Sequence, residues 1–563
     1  MVEIDEDDVS VKCLREKKKI EFFEDILPYI GDFGKYQLCL LLSLLPFGIS
    51  FVSVFIAPLL IVAVPEKHWC KINELIDFNL TRDERIKLAI PESNQYPFYN
   101  RCHHKKLNFS KIIAEVGNDF NSKLWETNET VKCTEWEYDF SLISYPSIGV
   151  EMNWVCDEEY RIATSQAVFF IGTLIGNFLF SWISDYKGRL LALKVSTTFA
   201  FIALIGMAIS HHFWSFTLSK FILGFSFDNI LTIPLILAME YTAENKRSII
   251  TCFGFGFTLM SGKLILTWSA YFLGNWRIFT ILCSVPVLIS FLLTFTMPES
   301  IRWYASKGYP DKVLKKLHRI ARVNGKKSEN WMYDELLMNL KRKNKKVESV
   351  NLWDLRKTPH LARSTFLFSF IFALTSVILD TNLYYLHRYE LSIFVSFTWT
   401  CLDTLLAFLL FQLLVNRLGR RFIGASLLIF IAIVSFVFVF IESEIGKIFM
   451  ASLVRIGMDC LACLFTQYVP ELFPTPLRTQ GAASIHSLAS IIHFIIPYII
   501  ILRSVWKELP ILIVAIVALF AAFLTLFLPE TAGKNLRQTL EEGEKFCKEK
   551  KFWPILILQK SQK

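Results

Sequence analysis

The sequence predicts an all-α membrane protein: twelve spanning helices in two related six-helix halves, with a large loop between the first two helices. Three observations predict it. The 563 residues are 53% hydrophobic and 15% aromatic, with 51 Phe, whereas soluble domains run at about 45–50% apolar even with Gly counted. The apolar residues gather into runs of the roughly 20 residues that a bilayer-spanning helix needs. Charged and turn-forming positions also recur along the chain at a single offset.

The first half is expected over residues 36–297, with runs at 36–64 (α1), 162–184 (α2), 190–210 (α3), 213–239 (α4), 249–273 (α5) and 276–297 (α6). A polar loop, 65–160, separates α1 from α2. A basic linker, 298–361, carries Lys341-Arg-Lys-Asn-Lys-Lys. The second half, 362–529, has runs at 362–386 (α7), 391–415 (α8), 421–441 (α9), 446–470 (α10), 481–503 (α11) and 508–529 (α12). Residues 1–35 and 530–563 form polar ends, the latter closing on a short apolar patch, Phe552 to Leu558. No cleavable leader is expected, because the start is acidic and then basic at Lys17-Lys18-Lys19, with no early apolar core.

Basic residues in short connections set orientation. Lys187 with Arg189, Lys246 with Arg247, Arg417 with Arg420 and Arg421, and Arg478 all lie in alternate connections, as does the basic linker. These connections and both termini are therefore expected in the cytoplasm. The 65–160 loop then faces outward. Its content agrees: the sequons Asn79-Leu-Thr, Asn108-Phe-Ser and Asn128-Glu-Thr accompany Cys70, Cys102, Cys133 and Cys156, a combination suited to an oxidising, glycosylating compartment. The four Cys allow three pairings. The plasma membrane is the expected location.

The repeat is the most specific signal. Asp185-Tyr-Lys-Gly188-Arg189 follows α2 and Asn416-Arg-Leu-Gly419-Arg420 follows α8, an offset of 231 (416 minus 185). Glu240 and Arg247 recur at that offset as Glu471 and Arg478, Pro298-Glu-Ser as Pro529-Glu-Thr, and Asp228 as Asp459. Six helices per half make parallel repeats related by an axis along the membrane normal, which resembles the major facilitator architecture. Gly188 and Gly419 suit tight turns. Asp185, Arg189, Glu240 and Arg247 are expected to form a charge network closing one half at the cytoplasmic side, with Asn416, Arg420, Glu471 and Arg478 its counterpart. Such bistable networks act as switches. Topology alone does not require the acids.

Charges within apolar runs are the binding candidates, since each costs about 2.5–3.5 kcal/mol at mid-bilayer on insertion scales. They are Asp228 in α4, Lys263 in α5, Asp380 in α7, Asp403 in α8, and Arg455 with Asp459 in α10. Arg455 and Asp459 are four apart and able to pair, and Lys263 is a possible counter-charge to Asp228. Four acids against two bases leave an acidic cavity, which favours a cation, with Phe372, Trp268, Trp399, Tyr384 and Tyr385 as aromatic walls. His486 and His493 in α11 suit either proton carriage or hydrogen-bonded packing.

Several stretches carry a resemblance over nearly the whole chain: Asp25-Ile-Leu-Pro-Tyr-Ile-Gly-Asp-Phe-Gly-Lys-Tyr-Gln37, Cys133-Thr-Glu-Trp-Glu-Tyr-Asp139, Asn153-Trp-Val-Cys-Asp157, Pro298-Glu-Ser-Ile-Arg-Trp303, Glu471-Leu-Phe-Pro-Thr-Pro-Leu-Arg478 and Leu528-Pro-Glu-Thr-Ala-Gly533. The sequence resembles the organic cation, anion and zwitterion transporters of solute carrier family 22. Arg478-Thr-Gln-Gly481 with Ile485-His486 is most similar to invertebrate organic-cation and carcinine-type members. The resemblance implies carriage of small organic solutes across the bilayer by alternating access, as uniport or exchange. Cation carriers of the family place an Asp in α11 and anion carriers an Arg, where this chain has Ser490. Asp228 stands at an often basic position and Asp380 at a usual Gln. Asp403 precedes the expected acid, here Thr404. Arg455 matches a basic position, and Asn416 replaces an Asp, which implies a weaker second network. The acidic balance favours a cation or zwitterionic amine. An organic anion, or a member that senses or scaffolds without transport, is the alternative. No cofactor, metal or nucleic acid is expected, and no enzymatic motif (Gly-x-Ser-x-Gly, spaced His and Cys ligands, or a phosphate-cradling loop) is present. His103-His104 beside Cys102 is better read as part of a disulfide-bonded loop than as a metal site.

Overall fold

The computed structural model describes residues 26–548 except 32, 63, 66, 77–79, 93–98, 110–128, 142–144, 244–245, 327–329, 344–351, 387–392, 493–498, 500–501, 503–505, 507, 533 and 535. The spanning helices are α1 (Lys35–Val62), α2 (Tyr160–Lys187), α3 (Arg189–Ala208), α4 (Phe213–Glu240, with a turn at Phe227 and Asp228), α5 (Arg247–Leu273), α6 (Trp276–Leu293), α7 (Pro359–Leu386), α8 (Ile393–Leu418), α9 (Arg420–Phe438), α10 (Glu444–Leu472), α11 (Arg478–Ile492) and α12 (Leu509–Thr525). Among the described residues ten are long and apolar enough to cross a membrane, and α11 and α12 are the shorter two. Side chains such as Leu218, Phe272, Leu413 and Ile433 stand exposed, as a lipid-facing surface requires. The first half closes around Leu44, Leu60, Leu204, Phe216 and Phe279, the second around Phe368, Leu428, Leu464, Tyr468 and Ala518.

Small residues set the closest helix approach. Gly172 and Gly176 of α2 lie against the backbone of Phe221 and Phe225 in α4, and Gly224 of α4 lies against the carbonyl of Phe169. This is the four-residue spacing of small residues that draws membrane helices together. The duplicated turns use Gly for a different reason. Gly188 has φ 116° and Gly419 φ 81°, a region unfavourable to other residues. A Cβ would lie 2.6 Å from Glu299 Oε2 at Gly188 and 2.9 Å from Glu530 Oε2 at Gly419. Each glutamate caps the helix that follows its turn. Glu299 accepts from the N–H groups of Arg189 (3.1 Å) and Leu190 (3.0 Å), and Glu530 from those of Arg420 (2.9 Å) and Arg421 (3.0 Å). Carboxylates are favoured at helix N-termini by the unpaired N–H groups and the dipole. The recurring Pro-Glu-Ser and Pro-Glu-Thr therefore have a structural role that the sequence reading left unassigned.

The 65–160 loop is a folded unit. Strand β1 (His68–Cys70) pairs antiparallel with β4 (Trp136–Tyr138), and β2 (His103–Lys105) with β3 (Thr130–Lys132). Disulfides join Cys70 to Cys133 and Cys102 to Cys156, so Cys102 offers no thiolate beside His103. A small core of Trp69, Leu75, Leu88, Ile90 and Phe109 sits between. Asn108 is exposed, whereas Asn79 and Asn128 lie outside the described residues. The loop is anchored to α6 through Glu151, which accepts from Arg277 Nη1 (2.6 Å) and Nη2 (2.9 Å) and from Trp276 Nε1 (3.0 Å). Arg277 holds the Glu151 carboxyl below its usual range. Its stabilisation is therefore present above the unfolded carboxylate pKa, near 4.3, and is lost as pH falls through the lower folded value. For so exposed a pair it amounts to about 1 kcal/mol or less. Glu151→Gln should lower the thermal midpoint slightly at neutral pH and reduce the wild-type loss on acidification below that range. Equal acid losses in both proteins would refute the anchor.

Polar segments cover the opposite end. Helices Ile301–Ser306, Pro310–Val323 and Asn330–Lys343 pack on Ile26, Leu27, Ile30 and Tyr241. Asn324 accepts from the Tyr36 N–H (2.9 Å) and donates to the Ile30 carbonyl (3.0 Å). Glu544, in the helix Leu540–Lys548, accepts from His360 and Leu361 N–H and so caps α7. The apolar patch from Phe552 lies outside the described residues.

Candidate functional site

Three polar groupings lie along the seam between the halves. The first, at the end bearing the duplicated motifs, is buried. Arg189 pairs with Asp185 (3.2 Å) and Glu240 (3.7 Å). Arg478 crosses from the second half to Glu240 at 2.5 Å, and both side chains are fully buried. Asp185 Oδ2 accepts from the Gln480 N–H (2.9 Å), so one half caps the first turn of α11 in the other. Arg189 also reaches the Thr475 carbonyl (3.3 Å).

The expected arrangement, each half with its own network, is therefore corrected for Arg478. Glu471, the acid expected to pair with it in its own half, is already held by Arg420 (3.4 Å), Gln467 (3.1 Å) and Thr531 (2.7 Å). Arg478 instead satisfies the acid across the seam. Glu240 is also bonded by Ser300, as Glu471 is by Thr531, so the internal repeat extends to these hydroxyls. Arg247 is fully buried at the start of α5. The side chain of Asn416 lies outside the described residues.

The second grouping is a cavity of about 90 Å³ that runs from Asp228 toward the motif end, bounded by α1, α4, α5, α7, α10 and α11. Phe51, Phe255, Phe372 and Phe465 supply aromatic walls, and Asp228 and His486 are the charged or titratable groups among its described lining residues. Asp228 sits at the turn within α4. Its Oδ2 accepts from Asn177 Nδ2 of α2 at 2.7 Å, and its Oδ1 lies 3.8 Å from His486 Nδ1 of α11. The His486 ring lies 4.7 Å from that of Phe372. Phe255 belongs to a π-turn, Cys252–Phe257, in α5, a deformation frequent at functional sites.

The third grouping joins α5, α8 and α10. Arg455 pairs with Asp459 (3.4 Å), which also accepts from Thr404 (2.6 Å). Asp403 is buried beside them, and the charged neighbours of Lys263 are Arg455, Asp459 and Asp403. Lys263 is thus not the counter-charge of Asp228. Two acids and two bases balance here, which removes them from the expected acidic excess and leaves Asp228 facing the cavity.

Other candidates are placed differently from the sequence reading. Ser490 donates to the His486 carbonyl of its own helix (3.1 Å). Asp380 is half-buried near the far end of α7. Trp268 donates across the seam to Thr398 (3.1 Å) and Trp399 to Ser452 (2.6 Å), so neither tryptophan is a cavity wall. The side chains of Tyr384 and Tyr385, and all of His493, lie outside the described residues. Lys220 escaped the sequence reading. It is fully buried in α4 with its ammonium on Ser165 (3.2 Å), and the insertion-cost test applied to the other charges would have found it.

Two six-helix halves meeting around a central cavity, bridged at the motif end by Glu240–Arg478 and at the loop end by Trp268–Thr398, define a membrane transporter of the major facilitator fold. The family model described as sugar (and other) transporter matches residues 121–542, and the chain belongs to that family. It is 29% identical to the carcinine transporter of Drosophila melanogaster over 94% of this chain and 80% of that one. It is 28% identical to organic cation transporter 1 of Caenorhabditis elegans over 96% and 92%. A double-tryptophan variant of the E. coli xylose transporter XylE superposes with TM-score 0.62 at 15% identity, over 91% of this chain and 99% of that one.

Proposed function

We propose that the chain carries organic cations or zwitterionic amines across the plasma membrane by alternating access, with the cargo ammonium held at Asp228. The observation that carries this reading is a single carboxylate, among the described lining residues, in a cavity between the halves otherwise lined by aromatic and aliphatic side chains, Thr232, Thr466 and His486. Low dielectric strengthens its pull on a cation, and the rings of Phe51, Phe255, Phe372 and Phe465 add cation–π attraction. The relatives named for carcinine and organic cations support the same solute class. The motif-end network, Asp185, Arg189, Glu240 and Arg478, closes one gate. It faces the cytoplasm with both termini, by the distribution of basic residues.

The test is uptake of a labelled quaternary ammonium, carnitine, an imidazole-amine conjugate and an aryl carboxylate by cells expressing the chain or Asp228→Asn. Cation or amine uptake should fall about 10–100-fold in the variant, the value of a charge-assisted contact worth about 1.5–3 kcal/mol. Uptake of the carboxylate alone would overturn the reading and move the site to Lys263 and Arg455.

A further inference from the structure

We infer that Asp228 and His486 form an exchange site at which a proton and the organic cation alternate, making the chain a proton-coupled antiporter; this rests on the cation reading above. The geometry is specific. One carboxylate oxygen of Asp228 is already bonded by Asn177 (2.7 Å), while the other faces His486 Nδ1 across the seam at 3.8 Å. Asn177 contributes a hydrogen bond and no charge. The charge of Asp228 is therefore compensated either by imidazolium at position 486 or by cargo. The remaining elements add no titratable group to the cavity among its described lining residues: α1 presents Phe51, α5 Phe255, α7 Phe372, and α10 Phe465, Thr466 and Val469. Helix α2, packed along α11, adds Asn177 at Asp228 and carries its own acid, Asp185, at the first turn of α11, where the Gln480 N–H holds it.

The cycle balances in protons. Cargo entering from one side takes the carboxylate, and His486 releases its proton to that same side. The halves rock with Asp228 compensated by cargo. When cargo leaves on the far side, His486 binds a proton there, and the halves return with Asp228 compensated by imidazolium. A bare carboxylate in this enclosed site is disfavoured, so return without either partner is slow. One cation moves one way and one proton the other, with no net charge transferred.

The experiment uses the full chain in proteoliposomes, with labelled tetraethylammonium as a non-titrating probe and the membrane potential clamped by valinomycin and potassium. With the lumen one pH unit more acid, wild type should accumulate the probe at least about fivefold above its equal-pH level, approaching the roughly tenfold limit of one-for-one exchange. Nigericin should abolish the excess. In His486→Gln the ratio of gradient to equal-pH uptake should fall to about one, whatever the variant's absolute rate. A wild-type ratio near one, or an undiminished ratio in His486→Gln, overturns the inference while leaving the cation reading intact. Absence of uptake of tetraethylammonium and of every other cation or amine of the panel above overturns the cation reading, and the coupling with it.

Discussion

Replacing Arg478 by Ala is expected to lower transport sharply and to open the motif end of the protein to water-soluble thiol reagents. Arg478 makes three polar contacts in a buried site: Nη1 to Glu240 at 2.5 Å, Nε to the Pro470 carbonyl at 3.1 Å, and Nη2 to Thr475 Oγ1 at 3.3 Å. Removing one partner of a buried ion pair destabilises by up to about 3–5 kcal/mol where the other charge is left without compensation. Here the two halves hold the two partners, so the loss falls on the closed state of this end. A shift of that size changes a two-state population ratio by a few hundredfold or more. The effect of Arg478→Ala is moderated by Arg189, which still faces Glu240 at 3.7 Å. Glu240→Ala should therefore be the more severe change, since it removes the acid shared by Arg189 and Arg478.

Arg478→Lys should not rescue, because a single ammonium does not reproduce the guanidinium fork. The double variant Glu240→Ala with Arg478→Ala should be less damaged than the two single losses summed, as expected of residues in direct contact. Initial transport rate and reactivity of a cysteine placed in the seam are the readouts, with surface expression as control. Full transport and unchanged reactivity in Arg478→Ala would remove this bridge from the gating account.

The same arginine shows where sequence reasoning stops. Repetition at a fixed offset revealed two homologous halves and the acids and bases at their ends, because charges at membrane boundaries are few and each stands out against apolar runs. It also implied that each half pairs its own charges. Partner choice depends instead on which acid is already satisfied in three dimensions, and Glu471 is, by Arg420, Gln467 and Thr531. Asp228 was legible because a carboxylate in an apolar run is costly. His486 was harder to assign, because a neutral imidazole is tolerated in packing and only its position opposite Asp228 distinguishes it. Trp268 and Trp399 misled for the converse reason: an aromatic ring has the same appearance in sequence whether it lines a cavity or donates its N–H to a neighbouring helix. The 65–160 loop read as an outward, glycosylatable segment with four cysteines to pair, but its strands of three residues each are too short for periodicity and are held by disulfides between distant positions.

Gly176→Leu should prevent folding, although Gly176 touches neither cargo nor gate. A Cβ there would fall well inside contact distance of the Phe225 backbone in α4, and one at Gly172 would meet the Phe221 carbonyl. Backbone atoms cannot swing aside as a side chain does, so the helices would have to separate. Overpacking a tight contact costs about 1–3 kcal/mol even for small additions, and Leu adds three carbons beyond the first. Wild-type expression and a sharp size-exclusion peak should be lost. Phe178→Ala, two residues away but facing outward at 45% exposure, should retain both.

The smaller change, Gly176→Ala, carries the functional consequence. Asn177 is the next residue, and its 2.7 Å bond to Asp228 depends on how closely α2 approaches α4. An Ala variant that folds should therefore show a lowered thermal midpoint together with weakened apparent affinity for the cation, by about tenfold if one charge-assisted hydrogen bond is lost. A normal midpoint for Gly176→Leu would show that α2 and α4 do not need this contact. Unchanged affinity in a destabilised Gly176→Ala would separate helix packing from the positioning of Asp228.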